Sequence, residues 1–402
     1  MNICFICCEY PPALHGGIGS YIQTLGRALV RSGDRVRVAG IYPSQESALE
    51  YEEDQGVEVW RFRSPKGRLG WIAARYRLFR TLARWAERGE IDLIEVPDWE
   101  GHAALWPRLP VPVVVRLHGS SAYFSAEMEY RQNPRSFWLE ARSFHRADNW
   151  CSVSAYTAAK TGTLFGRRPE PAAVLYCPVE LSGASRPTER DPHSVVFAGS
   201  LTRKKGIIQL IRAWPQVLAA APQARLDIYG KDARTDDGDP MQQFLESLLD
   251  GAAASSVAFH GHVRTEQLRD IYRACQVGVF PSYSEAFSLA PVEAMAEGCP
   301  VVYSTRHSGP ELIDDEANGL LVDPDDVDSL ARSILRLLAA DPLAGRIGEA
   351  GRAHVRRLFS ADRVREKNRG FYAQCIQDFA RPGGAHGVRR AATSSDSVEA
   401  PR

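Results

Sequence analysis

Two carboxylates eight residues apart, Glu285 and Glu293, stand in the stretch Pro281–Val302, PSYSEAFSLAPVEAMAEGCPVV. An apolar run, Val277–Phe280, precedes it and a second one, Val301–Tyr303, closes it, so the stretch reads as strand, loop, helix, strand. Pro291 suits the first helical position and Gly298 the helix end, which puts Glu293 in the first turn. The loop then lies at the carboxyl end of a strand, where open α/β sheets bind ligands. Residues Ala286, Phe287, Ser288 and Leu289 can turn their backbone N–H groups toward an anion beside a helix N-terminus, while each carboxylate accepts hydrogen bonds from paired hydroxyls. That combination suits a phosphate-linked sugar. A solvated Glu followed by a first-turn Glu that complements the helix dipole would give the same spacing, so the surrounding residues must decide.

Three adjacent cations, Arg203, Lys204 and Lys205, fall between a strand ending at Ala198 and a helix beginning at Ile207, as in a phosphate cradle. Solvated charges in a tight loop are the plain alternative. Near the amino terminus Gly16-Gly17-Ile18-Gly19 opens a helix after a first strand spanning residues 2–8, and its backbone could approach an anion closely. This is not a dinucleotide fingerprint. Ile22 stands where a third glycine is required, and Gly40-Ile41-Tyr42, with no acid, ends the second strand. His118, with Gly119, follows the apolar run Val111–Arg116 and so is placed to reach a substrate, although a histidine in that position taken on its own is more often a structural hydrogen-bonder.

These groups need two sheets to position them. The 402 residues exceed one ordinary core. Strands are expected at Arg35–Ile41, 57–63, Ile91–Glu95, Val111–Arg116 and Asn149–Val153, with helices between, and Ser154 preceding the last of these. A second series runs from Ser194–Ala198 through Leu226–Gly230, Val257–Phe259 and Val277–Phe280. Pro215 is expected to kink or end the helix after the cation triplet. Helices at 328–357 and 361–379 follow, and Gly, Ala, Ser and Arg dominate from Arg381 onward, a composition that reads as disordered. The domains are therefore placed at 1–185 and 186–360, with residues 181–193 linking them, a closing helix at 361–380 and a tail at 381–402.

Apolar residues make up 44% and charged residues 24% with zero net charge, which describes a globular chain with no global field for nucleic acid. Eight cysteines without a framework pattern imply a reducing compartment, and Cys4-x-x-Cys7 lies within a strand, where core packing outweighs redox chemistry. The Asp-x-Asp clusters at 236–239 and 325–328 read as polar loops rather than metal sites. No signal peptide or 18-residue apolar run is evident, so a cytoplasmic protein is expected. Residues 61–88 hold nine cations (Arg61, Arg63, Lys66, Arg68, Arg75, Arg77, Arg80, Arg84 and Arg88) against Glu87 alone, interleaved with Trp71, Ile72, Tyr76, Phe79, Leu82 and Trp85. An amphipathic surface helix explains them, and docking of residues 71–88 on anionic lipid headgroups is the functional alternative.

In this order the segments resemble the retaining glycosyltransferases of family 4, which have the GT-B fold: two Rossmann-like parallel-sheet domains facing across a cleft. The resemblance covers about residues 1–375. It rests on Pro11-Pro12 with Gly16-Gly17-Ile18-Gly19, on His118-Gly119 and on Arg203-Lys204-Lys205-Gly206. It rests further on Pro281-Ser282 through Glu285 to Glu293 and Gly298-x-Pro300-Val-Val, and on Asn318-Gly319-Leu-Leu-Val322. It implies a donor, a nucleotide-diphosphate sugar, held in the cleft mainly by the second domain. Lys205 and Arg203 would neutralise the diphosphate, Glu285 and the amides of 286–289 would hold the sugar, and Glu293 the ribose. Gly16 and Gly17 would face the phosphates, and His118 the reacting sugar. Ser200 stands where the family has an arginine, so Arg203 is expected to supply that charge. No metal or other cofactor is expected, the acceptor would be a glycan or lipid-linked, and no nucleic acid is implied. An epimerase or hydrolase of nucleotide sugars, or a silent binding scaffold, remains the alternative.

Overall fold

The computed structural model describes residues 1–13, 16–42, 49–64, 67, 70–166, 173–181, 189–339 and 342–381. Strands with near-continuous apolar runs build two sheets, each covered on both faces as such runs require. The first comprises β1 (Asn2–Ile6), β2 (Arg35–Tyr42), β3 (Leu49–Asp54), β4 (Val57–Arg63), β5 (Leu93–Pro97), β6 (Val113–Leu117), β7 (Asn149–Ser152) and β8 (Ala173–Val174). Their order is β3-β4-β2-β1-β5-β6-β7-β8. The second comprises β9 (Asp191–Ala198), β10 (Arg225–Tyr229), β11 (Val257–Gly261), β12 (Cys275–Phe280), β13 (Val301–Ser304) and β14 (Leu320–Val322), ordered β11-β10-β9-β12-β13-β14. All pairings are parallel except β3 with β4, an antiparallel edge that the sequence reading missed because LEYEED carries no buried face.

Strand order reverses between β1 and β5 in one sheet and between β9 and β12 in the other. Ligand crevices form at the carboxyl ends of strands at such points. The cleft lies where the two reversal points face each other, since it is lined by residues that follow β1, β5 and β6 of the first sheet and β9 and β12 of the second.

The closing helix, Ala361–Ala380, lies against the opening helix, Gly17–Arg31, of the first domain. A buried ion pair fastens it. Arg116 donates to both oxygens of Glu95 at 2.8 Å, to Asn368 Oδ1 at 2.5 Å and to the Leu175 carbonyl at 3.2 Å, while Tyr372 donates to Glu95 Oε2 at 2.7 Å. Every charge there is shared among several partners, as burial demands.

Several expectations change in detail. The first strand ends at Ile6 rather than residue 8, and Cys4 and Cys7 are free and buried in the core. Pro215 neither ends nor interrupts its helix, which runs from Ile207 to Ala220; Trp214 and Val217 bury that face and outweigh one lost hydrogen bond. β9 begins at Asp191, inside the expected linker, whose residues 182–188 lie outside the described ones. The helix expected at 328–357 is two, Val327–Leu338 and Pro342–Leu358. The tail from 382 lies outside the described residues. No helix among the described residues is long and apolar enough to cross a membrane.

Candidate active site

The cleft has a volume of about 560 Å³. After β9 the chain makes one tight turn, Arg203–Lys205, which ends at Gly206 with φ +70°. A side chain at Gly206 would meet the Pro281 carbonyl at 1.8 Å, so only glycine lets this turn pack onto the end of β12. That contact delivers Lys205 Nζ to Glu285 Oε1, 2.5 Å away. Lys204 also faces the cleft, its ammonium 3.9 Å from the centre of the Phe124 ring on the other domain. Burial pushes the Lys204 ammonium down from its ordinary value, with Glu285 opposing.

Arg203 does not enter the cleft, contrary to the expectation that it replaces the arginine missing at Ser200. Three successive residues of a tight turn point about 120° apart, and Arg203 turns away to a separate recess beside Tyr283, Arg306 and Asp325, largely exposed and 3.8 Å from Asp236. Lys204 is the other cation of the triplet that lines the cleft. The triplet was visible in the sequence, but which two of its members face inward depends on the phase of the turn.

The loop after β12 holds Glu285, which is 8% exposed, and leads into the helix Leu289–Ala296. Pro291 occupies the third helical position, not the first, and Glu293 accordingly sits in the second turn. Proline fits there because first-turn N–H groups have no intrahelical partner. Among the described residues the backbone N–H groups of Ala286, Phe287 and Ser288 have no hydrogen-bond partner. Ala286, Phe287 and Leu289 line the cleft, whereas Ser288, the residue directly before the helix, is buried away from it. Glu293 lines the same cleft; burial raises its carboxyl above the ordinary range, against the charges of Arg269 and Lys205.

From the first domain come Gly16, Gly17, His118 and Gly119. A side chain at Gly17 would have open space, so nothing stands between that backbone and the cleft. Gly119, at φ +89°, lies so close to Ala286 that an added Cβ would be 3.0 Å from its Cβ, bringing the two loops face to face. The His118 ring packs edge-on to Tyr21, with centroids 4.8 Å apart. Burial, then the charge of Arg116, push its imidazole well below its ordinary value, so it is neutral at pH 7. Its backbone N–H donates to Asp98 Oδ1 at 2.9 Å. Burial pushes the Asp98 carboxyl up to about 7.

Sequence reasoning missed Glu9, whose carboxylate accepts the Gly19 N–H at 2.9 Å and so sits at the start of the opening helix. It also missed Trp99, 41% exposed on the cleft rim. The basic region divides. Arg61 is buried in β4 against Glu52 and the Pro11 carbonyl, and Arg75 donates to the carbonyls of Glu100 and Gly101 at 2.8 and 3.2 Å. Both are structural. Arg77, Arg80, Arg84 and Arg88 stay exposed beside Ile72 and Tyr76; Lys66 and Arg68 lie outside the described residues. Among the described residues no three His, Cys, Asp or Glu side chains gather as a metal-binding group. Asp326 of the second acidic cluster caps a helix through the Ser329 N–H.

Two sequence families match the chain: one described as Glycosyltransferase Family 4 over residues 15–182, the other as Glycosyl transferases group 1 over residues 192–340. An uncharacterized glycosyltransferase of Methanocaldococcus jannaschii is 27% identical over 95% of this chain and all of its own length. A GDP-mannose-dependent monoacylated alpha-(1-6)-phosphatidylinositol monomannoside mannosyltransferase of Corynebacterium glutamicum is 25% identical over 89% of this chain and 94% of its own. Among solved structures, Anabaena HepE in complex with UDP and glucose superposes with a TM-score of 0.72 at 18% identity, covering 92% of this chain and 99% of that one.

Proposed function

Because the chain is a glycosyltransferase of the family 4, group 1 type with the GT-B fold, we propose that its cleft binds a nucleotide-diphosphate sugar and transfers the sugar with retention of configuration, without a metal ion. One observation carries this reading. Lys205 and Glu285 meet at 2.5 Å directly before a run of unpartnered amides, with Lys204 beside them and a neutral His118 lining the same cleft. The diphosphate takes the two ammonium groups and the amides; the freed Glu285 carboxylate accepts sugar hydroxyls, and Glu293 the ribose. Gly16 and Gly17 let the first domain's backbone close on the phosphates, and Arg203 takes no part.

As the bond from the anomeric carbon to the phosphate oxygen breaks, positive charge grows on the sugar and negative charge on the leaving diphosphate. Fixed cations and N–H groups already aimed at that oxygen stabilise the charge without reorganisation. The acceptor oxygen then bonds the anomeric carbon on the face the phosphate leaves, and its proton passes to the leaving phosphate oxygen. His118, being neutral, hydrogen-bonds a sugar hydroxyl without placing a cation beside the forming oxocarbenium.

The acceptor is a glycan or a lipid-linked sugar of the cell envelope, met by a protein that rests peripherally on the cytoplasmic face of a membrane. The exposed arginines at 77, 80, 84 and 88 beside Ile72 and Tyr76 support this, as does the lipid acceptor named for the Corynebacterium relative. The test is proton NMR of UDP-, GDP- and ADP-linked sugars in EDTA, with and without a pool of lipid-linked and oligosaccharide acceptors. Acceptor-dependent release of one nucleoside diphosphate, with an α-linked product from an α-linked donor, is expected. Donor consumption without acceptor would instead mark a hydrolase or epimerase.

A further inference from the structure

Three hydroxyls of the first domain converge on the loop that carries the unpartnered amides. Tyr123 donates to the Glu285 carbonyl at 3.0 Å, and Ser154 and Thr157 donate to the Ala286 carbonyl at 2.7 and 3.1 Å; all are buried. Resting on the donor site proposed above, we propose that Tyr123, Ser154 and Thr157 are positioning residues that aim the donor loop's N–H groups at the nucleotide-sugar phosphate.

In a trans peptide the C=O and N–H point to opposite sides. The Glu285 carbonyl shares its peptide with the Ala286 N–H, and the Ala286 carbonyl with the Phe287 N–H. Fixing both carbonyls on the first domain turns both N–H groups away from it, and both residues line the cleft. A flipped peptide would present a carbonyl oxygen to an anion instead. Ser154 Oγ accepts the Thr157 N–H at 3.1 Å as a helix cap, and of the two acceptors within reach of its single proton the Ala286 carbonyl at 2.7 Å is nearer than Thr157 Oγ1 at 2.9 Å. Thr157 supplies the second proton, and the carbonyl's two lone pairs are filled.

The hydroxyls of Ser154 and Thr157 are held firmly because the second domain also fixes the start of their helix. Glu311 accepts the Ala155 and Tyr156 N–H groups at 2.8 Å each, at the start of the helix Ala155–Leu164. Binding the donor therefore requires the two domains to be docked, although none of the three hydroxyls lines the cleft.

The test is calorimetric titration of whichever of UDP, GDP or ADP binds wild type, alongside its monophosphate, on wild type, Tyr123→Phe/Thr157→Val and Thr157→Ser. Losing the clamp should weaken the diphosphate about tenfold and the monophosphate less than about twofold, with Thr157→Ser matching wild type. An unchanged diphosphate affinity, or equal loss for both nucleotides, overturns the inference and leaves the donor site standing. A wild type that binds neither nucleotide overturns the donor reading and this inference with it. If the double variant does not fold, Tyr123→Phe alone is read by the same criterion.

Discussion

Two of the cation–carboxylate pairs in this molecule, one in each domain, are built in opposite ways. Arg116 and Glu95 sit under the first sheet's carboxyl edge, 0% and 3% exposed, and their remaining donors and lone pairs go to Asn368, Tyr372, Tyr21 and the Leu175 carbonyl. Lys205 and Glu285 sit in the cleft, their side chains 22% and 10% exposed, with one close contact between them. A buried pair survives only if every hydrogen-bonding valence is met, so the first is a fastener. The second is held by one contact and faces unpartnered amides, so a phosphate and a sugar can replace each partner for the other.

The largest effect should come from breaking the fastener. Arg116→Ala leaves Glu95 as an uncompensated buried charge and should lower unfolding free energy by about 3–5 kcal/mol, seen by urea denaturation. Lys205→Ala should do the reverse, costing only about 1 kcal/mol of stability through the unpaired Glu285 while lowering kcat about 10²- to 10³-fold, as loss of one preorganised charge does at other sites. If Lys205→Ala unfolds the protein and Arg116→Ala does not, the assignment of the two roles is inverted.

Asp98 lies between these cases: buried, with Oδ1 hydrogen-bonded to His118 and Oδ2 unpartnered among the described residues. Its carboxyl titrates near 7 in the folded chain against about 4 when unfolded. Between those values the folded state binds the extra proton, so stability falls as pH rises from about 4 to about 7 and stays lower above. Asp98→Asn should flatten that decline by about 3 kcal/mol, measured by denaturation at pH 5 and pH 8. The smallest effect belongs to the exposed basic face. Arg77→Glu with Arg80→Glu should weaken binding to phosphatidylserine vesicles by about 1 kcal/mol per charge, and unchanged sedimentation would contradict docking.

The sequence made the frame legible because strands buried on both faces are nearly continuous apolar runs, and glycines such as Gly206 and Gly298 mark where chain direction changes. It made Lys205, Glu285, Glu293 and His118 visible because each stands at the end of a strand or in the helix after it. It could not assign Arg203 and Lys204 to outside and inside, since that depends on the rotation of one turn. Nor could it reveal Arg116 with Glu95, or Ser154 and Thr157 with Ala286. Those partners are separated by 21 and about 130 residues and meet only when whole domains are assembled. Local pattern carries element type; long-range pairing decides which charges are shared and which stay available.

The most direct measurement is a thermal-shift comparison of UDP, GDP, ADP and CMP, each with and without EDTA, on wild type and Lys205→Ala. A nucleotide at roughly 100 times its dissociation constant should add about 2.7 kcal/mol of stability. The account predicts that one diphosphate shifts wild type equally in EDTA and leaves Lys205→Ala unshifted. A shift that Lys205→Ala retains in full, or that EDTA abolishes, would contradict a donor site built on the Lys205–Glu285 pair.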